Sequence, residues 1–168
     1  MHRNLCAAMV LGLVLAAGAM PARAQTAGGD KAAIEAMYHR FDEAFVKKDV
    51  AGIMSLYAPD VFVFDVIPPR QYVGWDAYKK DWVDLFAANP GPVTSHIAQL
   101  SITVVGPVAY THYIDEGTMT DKDGKQQQMA VRATDVLRKV KGKWLIVQEH
   151  NSFPVDIATG QADMLSKE

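Results

Sequence analysis

VAYTHYIDEGTMTDKDGKQQQMAVRATDVLRKVKGKWLIVQEHNSFP, residues 108–154, reads as three long strands, 108–118, 126–139 and 143–153, joined by two turns. The first turn is Asp121-Lys122-Asp123-Gly124; the second is Val140-Lys141-Gly142, whose final Gly suits a three-residue hairpin loop closed by a left-handed bulge residue. That loop would pair Lys139 with Lys143. Side chains alternate along a strand, so Val131, Ala133, Asp135 and Leu137 would share a face with Leu145, Val147, Glu149 and Asn151. The opposite face would carry Arg132, Thr134, Val136, Trp144, Ile146, Gln148 and His150. The first face is mostly apolar yet holds an Asp, a Glu and an Asn. Acids on a core-facing surface are costly unless they line a cavity, and this face therefore predicts a pocket. A one-residue slip would reverse the faces and bring Arg132 and His150 into the cavity.

Upstream, Ile34, Met37, Tyr38, Phe41 and Phe45 recur at helical spacing after Asp30, a candidate N-cap. Asp49 can cap a short second helix that turns Ile53, Leu56 and Tyr57 inward and ends at Pro59. Residues 61–66 read as a strand broken by Pro68-Pro69. Gly74 opens a third helix in which Tyr78, Trp82 and Leu85 or Phe86 share one side, and Asn89-Pro90-Gly91-Pro92 stops it. A further strand spans 93–105. Helices first and hairpins after give an α+β class, with three N-terminal helices on one face of a curved antiparallel sheet.

At the start of the chain, Arg3, an apolar run over residues 5–20 and Ala22-Arg23-Ala24 predict a cleavable export signal over 1–24. The apolar run is shorter than the roughly 18–20 residues of a spanning helix, so no membrane association is expected after cleavage. The destination is periplasmic or secreted. Cleavage would remove Cys6, the single cysteine, and leave 144 residues, enough for one domain. It would also remove Arg3 and Arg23, leaving 15 basic against 19 acidic residues. Nothing here resembles a basic nucleic-acid surface. The expected layout is a lead-in at 25–29, one domain over 30–155 and a polar tail at 156–168 with little apolar periodicity, both ends fraying.

The order of elements, together with KKDVAGIMSLYAPDVFVFD at 47–65, GWDAYKKDW at 74–82 and VRATDVLRKVKGKWLIVQEHNSFP at 131–154, resembles the SnoaL-like branch of the nuclear transport factor 2-like superfamily. The resemblance covers about residues 30–155 and implies that superfamily's cone-shaped fold. Function does not follow from it, because this superfold hosts isomerases, dehydratases, cyclases, epoxide hydrolases and non-catalytic assembly domains. Asp65 stands where the similar ketosteroid isomerase family has its proton-shuttling aspartate. Beside Phe62, Phe64 and Trp82, its pKa would rise toward the operating pH, as a general base requires. The plainer reading is a strand-end Asp capping the turn into Ile67-Pro68-Pro69. Phe41 takes the place of that family's oxyanion-holding tyrosine, and Thr134 or Asp135 lies near its protonated acid. Ketosteroid isomerase activity is therefore not expected, although a neutral Asp135 could donate one hydrogen bond.

The second half also resembles the association domain of calcium/calmodulin-dependent protein kinase II, an assembly module with an arginine-lined pocket. The resemblance puts Asp115, Asp135 and Asn151 at the arginine positions and Tyr78 at a pocket histidine. The reversed sign would favour neutral, proton-donating or cationic ligands over carboxylates.

Two readings follow. In the first, the chain is a cofactor-independent acid/base enzyme of isomerase, cyclase, dehydratase or hydrolase type, acting on a small apolar organic molecule. Asp65 relays the proton; Tyr57, Tyr78 or Asp135 holds the substrate oxygen; and Phe64, Trp82, Tyr113, Asp115, Val131, Val147, Glu149 and Asn151 complete the site. No metal site is expected, because the acids lack the short local spacing of a metal motif. In the second reading the domain binds a small molecule or assembles without catalysis. Both include a homodimer through the uncovered sheet face, with Trp144 and Ile146 in its apolar centre.

Overall fold

The computed structural model describes residues 27–166; the expected export signal over 1–24 lies outside them. Three helices, α1 (Ala27–Val46), α2 (Val50–Met54) and α3 (Trp75–Ala88), are interleaved with six strands. These are β1 (Tyr57–Phe64), β2 (Tyr72–Val73), β3 (Thr94–Val105), β4 (Val108–Thr120), β5 (Gln126–Val140) and β6 (Lys143–Ser152). They form one curved, unclosed sheet in the order β2-β1-β6-β5-β4-β3. The class is α+β. One pairing departs from the antiparallel expectation, since β1 runs parallel to β6.

Helix α1 is already formed at Ala27, three residues before Asp30, so Asp30 lies within the helix and is not the cap, and residues 27–29 are helical rather than a loose lead-in. Its side chain accepts from Lys139 Nζ and, at 3.1 Å, from Trp144 Nε1, which ties α1 to the end of the β5–β6 hairpin. The Lys139 contact holds the Asp30 carboxyl below its ordinary range. Asp49 does cap α2, accepting from Gly52 N at 2.9 Å. That helix stops at Met54, and Tyr57 and Pro59 belong to β1, because Tyr57 is needed in the sheet beside Ile146. Gly74 caps α3 with φ +87°, a conformation other residues rarely take.

The β5–β6 hairpin differs from expectation twice. Val140 pairs with Lys143, leaving Lys141-Gly142 as a two-residue loop with both φ positive, the twist-matched hairpin turn. Then Val136 pairs with Gln148 but Leu137 with Ile146, so Val147 is the extra residue of a β-bulge. Each departure moves the register by one. Near the turn the faces are reversed, and Trp144 and Ile146 point into the core, 7% and 2% exposed. Beyond the bulge the expected faces return, and Asp135 opposes Glu149 while Ala133 opposes Asn151. Trp144 and Ile146 are thus core residues and cannot centre a sheet-face interface. The core packs Ile34, Met37 and Phe45 of α1, Ile53 and Met54 of α2 and Tyr78 and Trp82 of α3 against the helix-covered side of the sheet.

Part of the segment expected as a polar tail is paired. Val155 bridges Ala162, Asp163 N donates to Pro154 O at 2.8 Å, and Met164 O accepts from Ala130 N of β5 at 2.8 Å.

Candidate functional site

Between the helices and the inner sheet face lies a cavity of about 300 Å³. Phe41, Phe45, Trp82 and Leu85 wall it from the helices, and Tyr113, Met119, Met129, Val131 and Ala133 from β4 and β5. Four carboxylates face it: Asp65, Asp81, Asp115 and Glu149. Among the described residues no basic side chain lines it.

Alternation delivers these acids. Asp115 lies two residues beyond Tyr113 on β4, and Glu149 two before Asn151 on β6, so each pair shares the inner face. Asp65 follows β1 directly, where the chain leaves the sheet.

Behind the cavity wall, tyrosines feed the acids. Glu149, 2% exposed, accepts from Tyr57 Oη and Tyr78 Oη, each at 2.6 Å, and from Asn151 Nδ2 at 2.8 Å. Tyr78 Oη also reaches Asp65 Oδ2 at 3.3 Å. Asp135, fully buried, accepts on Oδ2 from Tyr38 Oη at 2.7 Å and Tyr113 Oη at 3.2 Å, and Tyr38 is also hydrogen-bonded to Thr111. Its Oδ1 has no hydrogen-bond partner among the described residues. Asp115 accepts from Ser95 Oγ at 3.0 Å, and Asp81 from Tyr72 Oη at 2.6 Å.

Desolvation dominates the electrostatics. Burial, reinforced by the charge of Glu149, raises Asp65 to about 7. Burial also raises Asp115 to about 7, against the pull of Ser95. Asp135 is pushed well above the carboxylate range by burial and then by Glu149. Glu149 is raised by burial too, but its three donors oppose the rise. An acid with three donors holds charge better than a neighbour with a bare oxygen, so of this facing pair Asp135 carries the proton. Burial likewise lifts the phenols of Tyr38, Tyr57, Tyr78 and Tyr113 well above their ordinary value, and all four stay neutral donors.

Of the residues singled out from sequence, Asp65, Trp82, Tyr113, Asp115, Val131, Glu149 and Asn151 line the cavity. Tyr57, Tyr78 and Asp135 stand behind that wall and reach the site through Glu149, Asp65 and Tyr113. Phe64 and Val147 do not line it. Phe64 pairs with His150 on the outer face, and the bulge turns Val147 away. Arg132 and His150 are exposed on that outer face and are not alternates for the site. Sequence reasoning missed Asp81, whose spacing from Tyr78 and Trp82 put it at the helix border. It also missed Tyr38 as a functional donor, although its helical spacing with Phe41 already turned it inward.

Residues 34–156 match the SnoaL-like domain family, and the chain belongs to that family. Among solved structures it is similar to a nuclear transport factor 2-like protein of unknown function from Pseudomonas putida KT2440. Identity there is 29% and the TM-score 0.77, with 84% of this chain and 98% of that one covered. A nuclear transport factor 2-like superfamily protein from Salmonella enterica serovar Typhimurium is 22% identical with TM-score 0.68, covering 79% and 96%. A ketosteroid isomerase-like protein from Erwinia carotovora is 24% identical with TM-score 0.63, covering 72% and 93%. The last two likenesses carry the fold alone. No curated protein matches the chain.

Proposed function

We propose that this chain is an exported, cofactor-independent acid/base enzyme acting on a small, largely apolar and uncharged organic molecule. One observation carries the reading: Asp65 sits on the cavity wall with its pKa raised to about 7 and is joined through Tyr78 to Glu149. A carboxylate poised near neutrality can take a proton from a substrate and return it. Tyr78 has one hydroxyl hydrogen, and the shorter contact assigns it to Glu149. Its oxygen is then free to accept from Asp65 once Asp65 is protonated, which steadies the acid form between the two transfers. Tyr113 is the phenol on the cavity wall; it donates to Asp135 at 3.2 Å, and meeting a ligand oxygen means turning that one hydroxyl hydrogen away from Asp135, which keeps Tyr38 as its donor. The acidic lining disfavours anionic substrates.

The test is incubation in D2O with neutral cyclic ketones, alcohols and epoxides, with products and deuterium content read by mass spectrometry. Deuterium uptake or conversion is expected for at least one class. Compounds that raise the melting temperature yet return unchanged and undeuterated would favour the second reading, a non-catalytic binding domain. Phe41 and Phe45 favour that reading, because the face of α1 that meets the cavity offers no hydroxyl donor.

Export rests on residues 1–24 and predicts a mature N-terminus at Gln25, checked by mass spectrometry of the periplasmic fraction. Assembly as a homodimer rests on the outer sheet face, where Phe62, Phe64, Val136, Leu145 and Val147 are only half-buried among Thr134, Gln148 and His150. Phe64→Asp is expected to yield a monomer in light scattering with an unchanged circular dichroism spectrum. A monomeric wild type at micromolar concentration would end the dimer reading.

A further inference from the structure

Strand β5 outruns its neighbour. β6 ends at Ser152, opposite Arg132, so the N-terminal part of β5 has one edge that β6 does not cover. The tail covers it. After Phe153 the chain closes a small loop: Val155 bridges Ala162, Asp156 N donates to Gln161 O at 2.9 Å, and Gly160 N to Asp156 O at 2.7 Å. The chain then passes β5, where Ala130 N donates to Met164 O at 2.8 Å and Gln127 Nε2 to Met164 Sδ at 3.0 Å. Ala162 and Met164 complete the cavity wall beside Phe153, Met119 and Met129.

This wall is held unlike the others. Ile157 is 97% exposed and Leu165 54%, so the strap buries little apolar surface of its own and depends on a few hydrogen bonds. Residues 157–166 also lie past the segment shared with the family, which ends at 156. A cavity of about 300 Å³ is at the small end of ligand pockets, which run roughly 300–1,000 Å³. Met164 shares that wall with Met119 and Met129 but is the one carried by the strap, and an unbranched thioether adapts its shape to what it meets.

We propose that Met164, presented by the strap over residues 154–166, is a specificity-determining residue that sets the largest ligand the cavity admits. The proposal rests on the cavity being the ligand site and not on its catalysing a reaction. Two uncharged aromatic probes of different length test it: 2-naphthol and N-phenyl-1-naphthylamine, titrated by fluorescence at neutral pH into the wild type, Met164→Ala and Met164→Trp. The ratio of the two dissociation constants is the readout. Met164→Trp should weaken N-phenyl-1-naphthylamine at least tenfold while changing 2-naphthol less than threefold, and Met164→Ala should move the ratio toward the longer probe. A ratio equal in all three proteins would overturn the proposal, as would a wild type that binds neither probe. Neither readout requires turnover. If no substrate is ever converted but the ratio moves, the acid/base reading fails alone; if Asp65→Asn loses turnover while the ratio stays fixed across the Met164 variants, this proposal fails alone.

Discussion

Asp65→Asn is expected to lower turnover by about two to four orders of magnitude, the range for a lost general acid or base, while leaving ligand binding and fold intact. Asparagine keeps the size and the oxygen that Tyr78 approaches, but it cannot accept a proton from carbon or oxygen at neutral pH. The wild-type rate should rise as pH passes about 7, because the carboxylate is the active form and burial has moved its ionisation there. In the variant that inflection should vanish from what activity remains. Tyr78→Phe separates the relay from the base. Removing the hydroxyl takes one of three donors from Glu149 and the contact from Asp65, so the inflection should move and not disappear. Full turnover in Asp65→Asn, with the inflection in place, would show that another group moves the proton.

How far this site was legible depended on what each residue answers to. Asp115, Val131, Glu149 and Asn151 were readable because a strand allows only two directions and the acids shared theirs with apolar neighbours. Val147 was not, because the bulge that ejects it serves a tertiary need. β6 must present Ile146 to the core and Glu149 to the cavity, and three residues apart cannot face one way on a regular strand. The two-residue turn was misread as three, and the bulge offset that error. The cavity acids came out on the right face, though each was assigned the wrong partner. Trp144 and Ile146, lying between turn and bulge, kept the full error.

Other gaps have different physical causes. β2 is two residues long, below what any periodicity can show. The strap was read as a fraying tail because it is polar, and it is held by backbone groups, whose pairing side-chain pattern does not encode. In the sequence Tyr57 and Tyr78 read as substrate contacts, because a phenol near a pocket is a natural donor. In the structure their hydroxyls are already committed to Glu149, and a donor so engaged sets the charge of the acid it feeds.

Asp135, fed in the same way by Tyr38 and Tyr113, is a residue on which stability should depend strongly. Asp135→Leu is expected to cost about 1–3 kcal/mol near pH 5, since the buried hydroxyl of Tyr113 would lose its acceptor while Tyr38 keeps Thr111 as a partner. Asp135→Asn keeps an acceptor oxygen and should cost little there. The two substitutions part from the wild type as pH rises. An acid whose pKa is higher folded than unfolded binds its proton more tightly in the native state, so its contribution is fully present below about pH 4 and is lost as pH climbs through the folded value. Asp65 and Asp115, both raised to about 7, should therefore drain stability between about pH 4 and 7, each by at most about 1.4 kcal/mol per pH unit, and Asp135 should extend the loss above that range. Asp30 and Asp60, whose pKa values are lowered by Lys139 and Arg138, act in the opposite sense and lose their contribution as pH falls below about 4. Together with the raised Glu149 these favour mildly acidic over alkaline solution. Melting curves from pH 4 to 9 should then show a wild type that weakens steadily on the alkaline side. Asp135→Asn should decline less and overtake it above neutrality, because asparagine gains nothing by ionising when the chain unfolds. A wild-type melting temperature that holds level or climbs from pH 5 to 9 would mean that Asp65, Asp115 and Asp135 do not keep their protons in the native state, and would overturn the assignment of the proton to Asp135.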